Sequence, residues 1–228
     1  MSALADALDL ALPRRCVGCG AAGSAWCRSC LPIGLVLRIC TDGFDTVSAA
    51  GYEGAVRAAL LRYKERGRRD LGPPLAGLLG RAVSALLDGE RAPPAGAVLI
   101  PVPSSARAAA ARGGDHVLRL ARLVGRSANL PVATPLRLGR SVADSAGLSA
   151  AQRAANLRGA FAAWAPRTGR AAVLVDDIVT TGATLREARH ALAVAGWPVL
   201  GAAVVAATPP GGHGPRVDHP LARPRFAV

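Results

Sequence analysis

Apolar positions along the chain alternate between two patterns. Residues 97–103 (AVLIPVP) are apolar without interruption until prolines stop them, as a strand buried on both faces reads. Residues 170–177 (RAAVLVDD) repeat that pattern, and residues 197–208 (WPVLGAAVVAAT) contain a third such run. Helical periods separate them. In residues 116–126 (HVLRLARLVGR), Val117, Leu120, Ala121 and Val124 share one face, and Arg119, Arg122 and Arg126 lie off it. Residues 178–196 read as a turn and a second helix. Strand, helix, strand, helix, strand predicts an α/β fold, an open and mostly parallel sheet flanked by helices.

Upstream, residues 44–54 predict a strand ending in a turn. Val56, Ala59, Leu60 and Tyr63 then recur as a helical face, followed by a basic turn around Gly67 and a helix over residues 75–87. Residues 88–96 (DGERAPPAG) form a Pro/Gly connection, the clearest internal boundary. Residues 132–138 read as extended, residues 139–159 as a polar excursion, and FAAW, residues 161–164, as an edge strand. The first 13 residues predict a short amphipathic helix with Leu4, Ala7, Leu8 and Ala11 on one side. The expected organisation is an N-terminal helix and cysteine module over residues 1–43, an α/β domain over 44–208, and a Pro/Gly-rich tail over 209–228.

Composition sharpens this picture. In 228 residues, 51% are hydrophobic and only 4% aromatic, which excludes wholesale disorder and leaves Ala, Val and Leu to build the core. Lysine and arginine outnumber aspartate and glutamate by 28 to 15, a formal charge of +13, yet Lys64 is the sole lysine. Such charge favours phosphorylated ligands, nucleic acid or an anionic surface. The N-terminus has no basic region ahead of an apolar one and does not read as a secretory signal. Residues 191–212 are uncharged, but Gly196, Pro198, Gly201, Pro209 and Pro210 interrupt them, so no membrane span is expected. The expected location is the cytoplasm.

Two clusters carry candidate chemistry. Cys16, Cys19, Cys27 and Cys30 follow C-x2-C-x7-C-x2-C, with Cys40 left over. Two such knuckles supply four soft ligands for a tetrahedral Zn2+ site, in a small zinc-ribbon-like module with Trp26 to cover it. A disulfide pair or a redox C-x-x-C is the alternative. The second cluster follows the apolar run at 173–175. Asp176 and Asp177 sit at the carboxyl end of a predicted parallel strand, where open α/β sheets bind ligands. Thr180, Thr181, Gly182, Ala183 and Thr184 then open a helix, whose unpaired N–H groups and positive dipole end suit a phosphate. Phosphate in the loop and sugar hydroxyls on the carboxylates describe a ribose 5-phosphate.

VLVDDIVTTGATL, residues 173–185, resembles the phosphoribosyl-pyrophosphate (PRPP) motif of type I phosphoribosyltransferases. With the four-cysteine module ahead of it, the chain resembles the ComF family. Three further stretches agree: residues 52–64, a helix ending in Lys64; residues 100–114, a proline-flanked strand and an Arg-Gly; and residues 148–161, which place Arg153, Asn156, Gly159 and Phe161. The family's usual Arg-Gly-Phe-Asn-Gln reads here Arg112-Gly113-Gly114-Asp115-His116, and Asp144 stands where a Gln is usual.

The resemblance implies a phosphoribosyltransferase, a pentosyl-transferring enzyme that takes PRPP with Mg2+. Asp176 and Asp177 would hold the ribose hydroxyls and stabilise charge at the reacting carbon. Residues 180–184 would hold the 5-phosphate. Ser104 and Ser105 would provide the pyrophosphate loop, with Arg112 and Arg153 adding charge, or else forming a solvated basic face and a helix contact. Residues 139–159 would form a flap over the site. His116 reads as a helix-start residue. The resemblance also implies a link to DNA uptake in competent bacteria or to nucleotide metabolism, with single-stranded DNA and competence or helicase-type proteins as partners. A non-catalytic module binding PRPP or single-stranded DNA is the competing reading, although few aromatics interleave the arginines to stack bases.

Overall fold

The computed structural model describes residues 14–32, 34, 36–41, 44–89, 96–139, 159–167, 169–208 and 217–218. The expected N-terminal helix, the flap with Asp144 and Arg153, and nearly all of the tail lie outside these residues.

One sheet organises the chain. Its strands are β1 (Leu37–Thr41), β2 (Phe44–Ser48), β3 (Ala97–Pro101), β6 (Ala171–Val179), β7 (Val199–Ala207) and β8 (Val217–Asp218), in the spatial order β3-β6-β7-β2-β1-β8. The four strands β3, β6, β7 and β2 run parallel, and β1 and β8 add antiparallel pairs at the far edge. A separate two-stranded ribbon pairs β4 (Leu136–Leu138) with β5 (Phe161–Ala163). The expected α/β architecture is therefore the observed one. Two strands escaped the sequence pattern: β1, inside the stretch expected to be cysteine module, and β8, inside the expected tail.

The helices form where the periodicity predicts. α1 (Gly54–Glu65) buries Val56, Ala59, Leu60 and Tyr63, the four positions of the sequence-derived face. α2 (Gly72–Gly89) starts earlier than expected because Pro73 and Pro74 fit a first helical turn, where no N–H is needed. α3 (Ala106–Ala111) is short. α4 (His116–Ala128) buries Val117, Leu120, Ala121 and Val124 and stops at Asn129, a left-handed residue at φ 52°. α5 (Ala183–Val194) follows β6. No helix among the described residues is long and apolar enough to cross a membrane, and residues 191–208 resolve into a helix end, a turn and β7.

Each face of the sheet packs its own core. On one side, Val173, Val175, Ala203 and Val205 meet Leu60, Leu75, Leu79 and Leu120 from α1, α2 and α4. On the other, Leu174, Ala202 and Val204 meet Leu185 and Leu192 of α5, with Leu136 and Phe161 of the ribbon. Cys16, Val17 and Trp26 are buried in the first of these cores, so the cysteine module is bonded into the domain by apolar contact. Burying a Leu or Val side chain contributes about 1.5–3 kcal/mol, so a chain poor in aromatics reaches a stable core through number rather than size.

Candidate functional site

The four cysteines converge as their spacing implies. Their Sγ atoms all lie within 4.8 Å of one another. Cys16 and Cys27 are 3.5 Å apart, and Cys19 and Cys27 3.8 Å. Tetrahedral Zn–S bonds of about 2.3 Å place sulfurs about 3.8 Å apart, whereas a disulfide needs about 2.0 Å. The geometry fits a metal such as zinc, and the four thiols are free. Backbone N–H groups of Gly18 and Cys27 point at Cys16 Sγ from 3.4 and 3.3 Å. Burial opposes ionisation of Cys16, but hydrogen bonds from the Cys27, Cys19 and Gly18 backbone outweigh it and bring the thiol down to about 6. Hydrogen bonding to Cys27, then to Cys19, pushes Cys30 up to about 12. Gly18 has no room for a side chain: a Cβ there would lie 2.8 Å from that of Cys30 and 3.3 Å from that of Ala55 in α1. The knuckle is thus pressed against the first turn of α1.

The second cluster lies at the carboxyl edge of the parallel strands. β6 does not end at the acidic pair. It pairs with β7 through Asp176, Ile178 and Val179, so the loop proper is Thr180, Thr181 and Gly182. Gly182 adopts φ 73° as the N-cap of α5, a left-handed conformation that favours glycine, and a Cβ there would meet nothing closer than 3.7 Å. Thr180 and Thr181 are exposed, and Thr181 Oγ1 accepts from the Ala183 N–H at 3.4 Å. Arg186 Nη1 donates to the Thr181 carbonyl at 3.1 Å, bracing the loop from the helix. This is a short, open turn that ends on a helix N-terminus.

The two aspartates have different surroundings. Strand alternation sets Asp177 on the face of Val173 and Val175, toward α1 and α4. There its Oδ2 meets His116 Nε2 at 2.9 Å and Lys64 Nζ at 3.4 Å. Asp177 and His116 are both buried, at 6% and 4% exposure. Burial opposes ionisation of Asp177, yet the His116 hydrogen bond and the Lys64 charge outweigh it and hold this carboxyl below the usual range. Asp176 is half-buried, and its Oδ1 accepts the Asp177 N–H at 2.8 Å. Desolvation, together with the neighbouring Asp177 charge, pushes it well above the usual carboxylate range.

The loop after β3 completes this edge. Ser104 Oγ lies 3.5 Å from His116 Nδ1, and the Ser104 N–H donates to Asp115 Oδ2 at 2.9 Å. Asp115 Oδ1 accepts the Leu118 N–H at 3.0 Å, capping α4. Asp115 therefore ties a loop to a helix start. Ser105 is exposed at the start of the turn into α3. Arg112 pairs with Glu65 at 3.5 Å, and its carbonyl accepts from Arg69 at 2.7 Å. The structure brings Ser104, Asp176 and Asp177 to one edge and adds two residues that the sequence pattern did not assign to a site, His116 and the side chain of Lys64. The signal for Asp177 was present, since alternation continues the Val173–Val175 face. The signal for His116 was absent, because a histidine after an N-cap has no periodicity of its own.

No family model matches the chain, and no curated protein matches it. Among similar solved structures is the UMP synthase of Leishmania donovani, 17% identical with a TM-score of 0.39, covering 74% of this chain and 27% of that one. An allosteric regulatory enzyme of purine biosynthesis is 20% identical with a TM-score of 0.39, covering 63% of this chain and 29% of the other. The glutamine PRPP amidotransferase of B. subtilis, complexed with ADP and GMP, is 19% identical with a TM-score of 0.36, covering 63% and 30%. This chain spans less than a third of each of those proteins.

Proposed function

We propose that the chain is a ComF-like phosphoribosyltransferase that binds PRPP, or ribose 5-phosphate, at the carboxyl edge of its parallel sheet. The supporting observation is the succession on one strand–turn–helix unit. β6 carries two acidic residues with different environments, and five residues after Asp177 a left-handed Gly182 opens α5. Thr180, Thr181, Gly182, Ala183 and Thr184 would receive the 5-phosphate through main-chain N–H groups and hydroxyls. Asp176 and Asp177 would accept the ribose hydroxyls and stabilise positive charge developing at the ribose carbon. Ser104 and Ser105 would face the pyrophosphate, and Arg112 and Arg153 would add positive charge. Mg2+ would accompany the pyrophosphate and neutralise its charge. Zinc would hold Cys16, Cys19, Cys27 and Cys30 together; four thiolates leave no open position, so its part is structural.

Calorimetry with PRPP, with and without Mg2+, tests this reading. Binding by the wild type, weakened at least tenfold by Asp176→Asn, supports it. No binding at millimolar PRPP with Mg2+ removes it.

A second reading rests on charge. Arg57, Arg66, Arg122 and Arg126 are exposed, and the chain carries +13. In this reading the protein serves DNA uptake or processing as a module that binds single-stranded DNA and protein partners. Its DNA affinity would fall steeply with salt through counterion release, and affinity unchanged by salt excludes that mode.

A further inference from the structure

His116 occupies an unusual position between two parts of the cleft. One ring nitrogen meets Asp177 on β6 at 2.9 Å, and the other lies 3.5 Å from the Ser104 hydroxyl on the loop after β3. The ring is buried and touches both without being exposed itself. We propose that His116 is a positioning residue that sets the hydrogen-bond polarity of Ser104, so that an anion bound at this loop brings a proton with it. The proposal rests on the reading of residues 102–105 as a pyrophosphate loop.

Asp177 is an acceptor, so Nε2 carries a hydrogen in either charge state of the ring. In the neutral ring Nδ1 is then an acceptor and takes the Ser104 O–H. The Ser104 oxygen turns its lone pairs to the cleft, where an anion is repelled. The Ser104 main-chain N–H gives no relief, because Asp115 Oδ2 holds it at 2.9 Å. When Nδ1 is protonated, it donates to Ser104 Oγ and frees the hydroxyl hydrogen for a phosphate oxygen. The groups that face this exchange come from every neighbouring element: Asp177 and Asp176 on β6, Lys64 on α1, Asp115 ahead of α4, and the Arg112–Glu65 pair beside them. Asp177 and Asp115 outweigh Lys64 in charge, so the proton gained by the ring brings the local charge to balance.

The test uses the full chain, with inorganic pyrophosphate and PRPP as probes in the presence of Mg2+, from about pH 6 to 8. Calorimetry in buffers of different ionisation enthalpy counts protons taken up on binding. Comparison with His116→Gln cancels protons belonging to the ligand. The wild type is expected to take up on the order of half a proton more than His116→Gln, so that its affinity falls with pH by about threefold per pH unit more than the variant's. Ser104→Ala is expected to lose the same difference. Equal proton uptake in wild type and His116→Gln overturns the proposal while leaving PRPP binding in place. Absence of both PRPP and pyrophosphate binding overturns the phosphoribosyl reading and the proposal together. Nitrogen chemical shifts of the His116 ring in the ligand-free protein supply a check independent of binding: the Nε2–H tautomer is required, and the Nδ1–H tautomer refutes it.

Discussion

The cysteine cluster and the carboxyl edge of the sheet both gather polar groups at short range, and they are built to opposite ends. The four sulfurs are mutual neighbours, packed against α1 and fed by backbone N–H groups. Such a set, closed on itself, has no position left for a substrate. The carboxyl edge is asymmetric. Asp177 is held through one carboxylate oxygen, Oδ2, by His116 and Lys64, whereas Asp176 is crowded by a like charge, and Thr180 and Thr181 are exposed. The contrast separates groups whose contacts are complete from groups whose contacts a ligand has to complete.

The largest test of this contrast is to open the closed set. Cys16→Ser, or metal removal by a chelator, should cost at least about 3 kcal/mol. That is a fall in melting temperature of about 6–12 °C for a chain of this size. The loss should reach the whole domain, because Cys16, Val17 and Trp26 share a core with Leu60 and Leu79. Metal analysis and a thermal melt check both parts.

Next comes Asp177→Asn, which keeps the shape but leaves Lys64 and His116 without their anion. It should cost about 2 kcal/mol in urea unfolding, within the range for a hydrogen bond to a charged group. Gly182→Val follows at about 1–2 kcal/mol, since a β-branched residue must enter a left-handed conformation. It should also abolish the phosphate arm of ligand binding, measured by calorimetry with ribose 5-phosphate.

Asp176→Asn should change stability at neutral pH least, within about 0.5 kcal/mol or slightly upward, while still weakening PRPP by about tenfold or more. Its signature is in pH dependence. Asp177, held low, binds fewer protons folded than unfolded. Its contribution is present above the ordinary carboxylate value of about 3.9 and fades as pH falls through its folded pKa. Asp176, held high, binds more protons folded. Its contribution is present below the ordinary value and lost as pH rises through its raised pKa. Asp176→Asn should therefore remove the decline of stability on the rising limb, and Asp177→Asn the gain on the acid limb. Denaturation midpoints measured across pH resolve the two.

Much of this molecule was legible before its structure. The faces of α1 and α4 and the three parallel strands β3, β6 and β7 follow from periodicity because each packs a regular apolar set. The cysteine spacing carried its own geometry. What escaped was non-local. β1 is recognisable only beside β2, and its sequence, LRICT, has no apolar run. His116 and Lys64 meet Asp177 across 61 and 113 residues of chain, and no local pattern reports such a meeting. The divided roles of Asp176 and Asp177 depend on which neighbours each side of the strand supplies.

The sheet order has a consequence for the nascent chain. β2 lies between β1 and β7, and α2 packs on β7, so the leucines of α1 and α2 wait for a strand that ends at Ala207. During synthesis at about 5–20 residues per second, the stretch through Gly89 emerges on the order of ten seconds before that strand. For that interval Leu60, Leu71, Leu75, Leu79 and Leu86 lack the strand against which α2 packs. A metal captured early would give the ribosome-bound chain its first fixed point, so zinc supply in the growth medium should govern how much of the protein is recovered soluble.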